Sequence, residues 1–152
     1  MLGLHKQERE DVFDRDGYYH TGDAGYFDAD GVLYFKARLG EMIKTAGANV
    51  TPREVEVVIE TFPEVTSAFV VGLPDPVRGQ NVAAAVVLKR GATLGADTAR
   101  ERLREQLSSY KVPREWWFAA SEELPFTDSG KIDKKRLAAL FAARVAPKES
   151  ST

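Results

Sequence analysis

A small basic and aromatic cluster in the second half of the chain has residue types that could bind a nucleotide. Its sequence is Tyr110-Lys111-Val112-Pro113-Arg114, and it lies at the end of a predicted helix. An aromatic ring can stack on a nucleotide base, and lysine and arginine side chains can pair with phosphate. Solvated charges that flank a turn would give the same sequence, so the cluster alone leaves both interpretations open.

The glycine-containing loop that follows Lys36 is a second candidate for a functional site. It has few large apolar residues, and Gly40 and Gly47 lie where the backbone must bend or be approached closely. Loops held on rigid flanks often carry function. Gly47-Ala48-Asn49 is also ordinary turn chemistry, so the residues alone favour a simple hairpin turn.

The element that positions this loop is a helix predicted over 52–61. Thr51 has the properties of an N-cap, Pro52 suits the first helical position, and Glu54 completes the pattern of a capping box. Apolar residues then recur at the spacing of one buried helix face, which predicts a core stripe of Val55, Val58, Ile59 and Phe62.

Further strands and helices are predicted downstream. Strands are expected at 64–72, 82–88 and 116–119, and the near-continuous apolarity of 82–88 indicates a central position. Thr98 and Glu101 suggest a second capping box, for a helix that ends just before the Tyr110–Arg114 cluster. Asp133 is expected to cap a last helix, whose inward-facing residues are Leu137, Leu140 and Phe141.

Composition excludes several classes of protein and site. The 152 residues contain no cysteine and two histidines, which excludes disulfides, thiolate zinc sites, a cysteine nucleophile and a histidine metal site. A net charge of -2 argues against a general nucleic-acid binder. No apolar run approaches the length of a membrane span, and we expect a cytoplasmic protein with no metal site of its own.

Two D-x-D-G turns near the start of the chain predict a β-meander. They are Asp14–Gly17 and Asp28–Gly31, and they bracket strand-like residues 18–27, with alternating residues 32–36 after them. A calcium loop would need a third acidic ligand and a closing glutamate at its twelfth position, and both are missing.

Three motifs together resemble the adenylate-forming enzymes, the superfamily of acyl-CoA synthetases, peptide-synthetase adenylation domains and firefly luciferase. The central motif is R-L-G-E-M-I-K-T-x-G-x-N-V-x-P-x-E-V-E, which begins at Arg38. A T-G-D motif precedes it at 21–23, and L-P-F-T-D-S-G-K-I follows at 124–132. Their order and separations match the superfamily, and the resemblance covers roughly residues 12–141.

The resemblance implies a role for three residues in handling ATP. Asp23 would bind the ribose hydroxyls, since a carboxylate can accept two hydrogen bonds from a diol. Arg38 would reach the ribose and phosphate side of the nucleotide. Lys131 would be the catalytic cation that stabilises the charge built up at the α-phosphate during adenylation.

The resemblance also implies a hinge and a CoA-binding face. The hinge residue is usually Asp or Lys, and here it is Gly40, which still allows large changes of φ and ψ. Ala46 and Gly47 would line the pantetheine channel. The other residues expected to contact CoA are Lys44 and Asn49 on the same face, and Tyr110, Lys111 and Arg114 at the CoA nucleotide.

The fold implied is α+β: a small domain with a central three-stranded sheet flanked by helices, plus a short β-hairpin, preceded by a β-meander. Residues 1–37 would be the end of a large N-terminal domain, 38–40 the hinge, 41–144 the mobile C-terminal domain and 145–152 a disordered tail. The orphaned meander strands would expose unpaired edges, which predicts exchange between two chains in a homodimer.

The function implied is the C-terminal part of an acyl-CoA synthetase, which uses ATP and CoA to activate a fatty or related acid. The Mg²⁺ ligand, the phosphate loop and the acyl pocket would lie in the large domain, so the chain alone should be inactive. One alternative is a non-catalytic module that binds CoA or a partner, and another is the C-terminus of a peptide-synthetase adenylation domain.

Overall fold

A computed structural model describes residues 12–145 of the protein. The chain divides into two compact units, the first extending to Gly40 and the second beginning at Glu41. The part of the predicted large-domain segment that falls on residues 1–11 lies outside the described residues. So does the predicted tail over 145–152, except for Val145, which is the last residue of a helix.

The first unit contains a β-hairpin of β1 (Asp23–Phe27) and β2 (Leu33–Arg38). The predicted turn between them forms, because the carboxylate of Asp28 accepts hydrogen bonds from the N–H groups of Asp30 (3.0 Å) and Val32 (2.9 Å). Before β1, Phe13 and Tyr19 form an isolated bridge around the predicted Asp14–Gly17 turn, in which the Asp14 carboxylate accepts hydrogen bonds from the N–H groups of Asp16 and Tyr18. The predicted meander is therefore a two-stranded hairpin preceded by a single bridge.

The second unit is a mixed sheet with helices on both faces. The order of its strands is β4-β3-β6-β5, and a fifth strand, β7, pairs in parallel with β6. The strands are β3 (Ile43–Thr45), β4 (Ala48–Val50), β5 (Val65–Asp75), β6 (Gly79–Leu88) and β7 (Glu115–Phe118). The helices are α1 (Pro52–Glu60), α2 (Ala96–Arg104) and α3 (Lys134–Val145).

The α+β class is confirmed, and the sheet is larger than predicted. The three expected strands correspond to β5, β6 and β7, and the expected hairpin is β3 with β4. This hairpin joins the same sheet, because Thr45 of β3 pairs with Gly79 at the start of β6. The tip of the hairpin is therefore held against the turn between β5 and β6.

The two faces of the sheet carry two separate cores. Along β6, Val82, Ala84 and Val86 pack with α1 and α2, whereas Ala83 and Ala85 pack with α3. This alternation follows the period of two residues that a strand imposes. Burial on both faces explains the near-continuous apolar sequence of β6, and the predicted central position is confirmed.

The helix predicted after Thr51 starts at Pro52 as expected, but the expected capping box is wrong. Thr51 makes no side-chain cap, and its hydroxyl instead donates to the sulfur of Met42 at 3.7 Å. The Glu54 carboxylate accepts a 2.5 Å hydrogen bond from the ammonium of Lys111. Both side chains therefore form hydrogen bonds with residues outside the helix and do not cap it.

Two other details of the predicted helices are also wrong. The helix assigned to Thr98 begins at Ala96, with Gly95 as its N-cap, and it ends at Arg104, so Tyr110 lies in a separate 3-10 turn. In α3, Leu137 and Phe141 are buried, but Leu140 is 42% exposed. Leu140 lies about 80° around the helix from the centre of the buried stripe, at 100° per residue.

Candidate functional site

Lys131 lies near the end of a tight loop, residues 125–133, which leads into α3 and is named here the Lys131 loop. The N–H of Thr127 donates to the Lys131 carbonyl at 2.7 Å, and the N–H of Gly130 donates to the Thr127 carbonyl at 2.8 Å. Gly130 has a φ of 76°, which favours glycine. The Lys131 side chain is exposed, and no ion-pair partner for it occurs within residues 12–145.

Asp133 closes the base of the Lys131 loop. Its N–H donates to the carbonyl of Pro125 at 2.8 Å, which joins the two ends of the loop. Its carboxylate accepts a hydrogen bond from the N–H of Arg136 at 3.0 Å. This contact satisfies a free donor at the start of α3, and the predicted cap is confirmed.

Lys134, the first residue of α3, links the Lys131 loop to two other parts of the unit. Its ammonium lies 3.0 Å from the carboxylate of Glu56 on α1 and 3.3 Å from that of Glu41, directly after Gly40. Glu56 is only 5% exposed, and the same oxygen accepts the N–H of Val70 at 2.9 Å. Sequence reasoning missed this group, because its members are far apart in the chain.

The predicted glycine loop is a two-residue turn between β3 and β4. Ala46 has a φ of 49° and Gly47 a φ of 80°, a combination typical of a type I′ hairpin turn. Lys44 and Asn49 pair directly across the hairpin, so these two exposed side chains share one face. These residues thus form a hairpin turn, and the four candidate CoA-binding residues lie on one hairpin.

An open cleft of about 800 Å³ lies beside this turn. The β3–β4 hairpin contributes Thr45, the β5–β6 turn contributes Arg78, and α2 contributes Arg100. Tyr110 and Arg114, two of the three cluster residues expected to contact CoA, line the same cleft, which is rich in arginine. Arg104 also lines it, as do the acidic side chains of Asp97, Glu101 and Glu115.

Lys111 is placed differently from its two neighbours. It does not line the cleft, and its ammonium is paired with Glu54 at 2.5 Å. Its side chain is 19% exposed. A role for Lys111 in binding phosphate remains a prediction, whereas its contact with α1 is observed.

Arg78 and Arg100 are cleft residues that the sequence analysis did not single out. Arg78 follows a turn held by Asp75, and the N–H groups of Arg78 and Val77 keep the pKa of this carboxyl below its usual range. The Nε of Arg78 is buried and has no hydrogen-bond partner among the described residues. Arg100 donates to the carbonyl of Arg114 at 2.6 Å, which ties α2 to the cluster segment.

In the first unit, Asp23 and Arg38 lie opposite each other at the open end of the β1–β2 hairpin. The guanidinium of Arg38 is 3.4 Å from the Asp23 carboxylate, and both side chains are accessible to solvent. The hairpin therefore brings together the two residues expected to bind the nucleotide.

Gly40 lies in a single 3-10 turn, Leu39–Glu41. Its φ is outside the positive region, and a Cβ at this position would meet nothing within 4 Å. This conformation does not require glycine. Gly40 as a hinge remains a prediction, although the boundary between the two compact units falls directly after it.

Residues 54–131 match a family model described as the AMP-binding enzyme C-terminal domain. The match covers about half of the chain and ends at Lys131. The chain belongs to this family. The predicted resemblance to adenylate-forming enzymes is thereby confirmed.

Curated relatives of this AMP-binding enzyme C-terminal domain include CoA ligases. The 4-hydroxybutyrate-CoA ligase 1 of Metallosphaera sedula is 44% identical over 140 residues, which cover 90% of this chain and 24% of that protein. The long-chain-fatty-acid-CoA ligase of Bacillus subtilis is 41% identical over 123 residues, which cover 81% of this chain and 22% of that protein. The domain therefore spans about a quarter of the length of these relatives.

A solved structure supports the same fold. ATP-bound MatB from Rhodopseudomonas palustris superimposes with a TM-score of 0.79 and 32% identity, over 87% of this chain and 26% of that protein. Within residues 12–145, no group of three or more acidic or histidine side chains could hold a metal ion. No helix in the described range is long and apolar enough to cross a membrane.

Proposed function

We propose that this domain is the C-terminal part of an AMP-forming acid-thiol ligase. The reaction would join a carboxylic acid to ATP, giving an acyl adenylate and pyrophosphate, and would then transfer the acyl group to the thiol of CoA with release of AMP. The observation that carries the proposal is the family match, which ends at an exposed lysine on a closed loop. The CoA-ligase names of the relatives give further support.

In the first half-reaction, Lys131 would stabilise the transition state. A carboxylate and the α-phosphate are both anionic, so their approach requires a cation placed in advance. A lysine ammonium is a compact charge on a flexible stem, and the closed loop limits where that stem can start. Mg²⁺ accompanies ATP in this chemistry, and the described residues offer no cluster for it, so we place its ligands in a separate large domain.

In the second half-reaction, the β3–β4 turn and the cleft would bind CoA. Pantetheine would pass Ala46 and Gly47, where the absence of bulky side chains leaves room next to the backbone. The CoA nucleotide would occupy the cleft, with Tyr110 stacked on adenine and Arg114 paired with phosphate. Arg78 and Arg100 line the same cleft and support this placement.

The nucleotide of ATP would be contacted by the first unit. The Asp23 carboxylate would accept hydrogen bonds from the ribose hydroxyls, and Arg38 would lie on the phosphate side. In this proposal Gly40 is the hinge, and rotation there exchanges Lys131 for the β3–β4 turn at one active centre.

A large partner domain is implied by the surface of the first unit. Phe27 is 70% exposed and Phe35 is 65% exposed, and a two-stranded hairpin is marginally stable by itself in water. We propose that residues 12–37 are the last strands of a large N-terminal domain. Without that domain the chain should be inactive, and its open strand edges should promote exchange with a second copy, which a solution mass above that of a monomer would support.

The substrate acid is proposed first as a broad class and then as a narrower one. A carboxylic acid follows from the reaction class, and a fatty acid is the narrower proposal, which the similarity to a long-chain-fatty-acid-CoA ligase supports. The similarity to a 4-hydroxybutyrate-CoA ligase favours a short hydroxy acid instead. An acid panel tested on the longer protein would distinguish them.

The experiment that tests the proposed function is acid-dependent exchange between ATP and pyrophosphate. The chain would be assayed alone. It would be assayed again as the joined protein, in which it takes the place of the matching segment of the Metallosphaera sedula relative. The intact relative is the positive control. Exchange by the joined protein, and none by the chain alone, is expected. No exchange by the joined protein would instead favour a non-catalytic module that binds CoA or a partner.

A further inference from the structure

The side chain of Lys134 connects three segments that are distant in sequence. Its ammonium contacts Glu56 on α1 at 3.0 Å and Glu41 at 3.3 Å. Lys134 is also the first residue of α3, three positions after Lys131. One side chain therefore bridges α1, the residue that follows Gly40 and the base of the Lys131 loop.

The ion pair between Lys134 and Glu56 is largely buried, so its loss should be costly for stability. The side chain of Glu56 is 7% exposed and that of Lys134 is 21% exposed. A buried carboxylate is unfavourable unless it is paired, and breaking such a pair costs more than breaking a surface pair. Lys134 is the closest cation to Glu56, because the guanidinium of Arg53 lies 3.7 Å away. The start of α3 is therefore fixed strongly to α1.

The Lys131 loop depends on that fixed point. Its two strands meet at the Phe126–Ile132 bridge, and the N–H of Asp133 closes its base on Pro125. The loop itself carries no buried charged side chain, since every residue from Phe126 to Lys131 is exposed. The loop is held at its base, which continues directly into α3, and by Phe126, whose ring packs edge-on against Phe69 of β5.

We propose that Lys134, held by Glu56, is a positioning residue for Lys131, and that its contact with Glu41 fixes the segment after Gly40 to the same support. The inference rests on the proposed function. The adenylation half-reaction needs Lys131 at a defined place, and a displacement of about 1 Å can lower a rate about 100-fold. Thioester formation from a preformed acyl adenylate does not use Lys131.

The first test uses the 152-residue chain itself and measures backbone hydrogen exchange. In Lys134→Met, the amides of Thr127 and Gly130 should exchange about tenfold faster, while amides in the centre of β6 should be unchanged. Lys135→Met removes the neighbouring exposed lysine and should change neither set. Equal acceleration in the loop and in β6 would show a general structural role and would overturn the proposal.

The second test separates the two half-reactions in the protein joined to the large domain. Lys134→Met should lower ATP-pyrophosphate exchange about 10- to 100-fold and should leave thioester formation from a supplied acyl adenylate within a factor of about two. Lys134→Arg should restore much of the exchange. Equal loss in both half-reactions, or no loss in either, would contradict a positioning role.

A double variant guards against the effect of an unpaired buried charge. Glu56→Gln/Lys134→Met removes both charges and keeps an oxygen that can accept the Val70 N–H, so its melting temperature should lie closer to the native value than that of Lys134→Met. Its exchange activity should stay low. Recovery of activity together with stability would assign the pair to folding alone and would overturn the proposal.

The outcomes distinguish this inference from the proposed function. If the native joined protein shows no exchange, both fail. If exchange is present and Lys131→Ala abolishes it while Lys134→Met has no effect, only the positioning role fails.

Discussion

The backbone N–H of Ala46 donates a hydrogen bond to the carbonyl oxygen of Arg78, over 2.8 Å. This bond holds the tip of the β3–β4 hairpin against the turn between β5 and β6. Ala46 adopts a φ of 49°, which is uncommon for a residue other than glycine. The proposed pantetheine turn and the proposed nucleotide cleft are therefore two parts of one connected surface.

Replacement of Ala46 should reveal the strain in this turn. Ala46→Val introduces a β-branched side chain at a positive φ and should lower the free energy of unfolding by about 1–2 kcal/mol. Urea denaturation of the chain would measure it. Ala46→Gly is the matched control and should be neutral or slightly stabilising. An equal effect of both variants would show that the backbone conformation of Ala46 is not strained.

The cleft arginines should control CoA affinity. Arg114→Ala and Arg78→Ala should each weaken CoA binding about tenfold, since a hydrogen bond to a charged group contributes about 1.5–3 kcal/mol. Isothermal titration calorimetry would measure the dissociation constants. Arg90→Ala removes an exposed arginine outside the cleft and should have no effect. If Arg90→Ala weakens binding equally, CoA is held by general charge and not in the cleft.

The ion pair between Glu64 and Arg102 should give the stability of the domain a dependence on acid pH. The hydrogen bond from Arg102 holds the pKa of Glu64 below the ordinary value of 4.5. A lowered folded pKa gives stability that is present above 4.5 and lost as the pH falls through the folded pKa.

We therefore expect Arg102→Met to melt at a lower temperature than the native chain at neutral pH, with the difference shrinking in acid. Thermal melting followed by circular dichroism over a pH series would measure it. Arg104 lies on the same helix and has no ion pair among residues 12–145. The melting temperature of Arg104→Met should therefore differ from that of the native chain by an amount that does not vary with pH. A pH-independent difference for Arg102→Met would contradict the role of the pair.

Gly40 should matter for rotation and not for the folded conformation. Because a Cβ there meets nothing within 4 Å, Gly40→Ala should be tolerated in the joined protein. Gly40→Pro fixes φ and should lower the complete reaction while leaving ATP-pyrophosphate exchange in place. Measuring both rates in each variant tests the hinge, and normal complete turnover by Gly40→Pro would exclude it.

The fold was predictable where local signals and burial agree. Pro52 marks the start of α1 because its ring suits the first helical turn, and the stripe that includes Val55 and Ile59 is buried as expected. The capping box expected at Thr98 was wrong because α2 begins earlier, at Ala96, and the one expected at Thr51 was wrong because its side chains have other partners. Glu54 pairs with Lys111, which is 57 residues away, and sequence periodicity contains no signal for such a contact.

The site residues were predictable only where they lie within a recognisable sequence motif. Lys131, Asp23 and Arg38 lie within recognisable motifs, whereas Arg78 and Arg100 reach the cleft from two separate elements. A weak signal did exist for α2, since Arg100 and Arg104 are four residues apart and share a helix face. Lys134 and Glu56 carry no comparable signal, because their pairing depends on the packing of α1 and α3 on opposite faces of one sheet.

The most direct test of the account is ATP-pyrophosphate exchange by the joined protein with Lys131→Ala and Lys135→Ala compared side by side. Both variants remove one exposed lysine from the same region of the chain. Lys131→Ala should lower exchange at least about 100-fold, as expected for the loss of a preorganised charge at the reacting phosphate, and Lys135→Ala should leave it unchanged. Full exchange by Lys131→Ala would contradict the account.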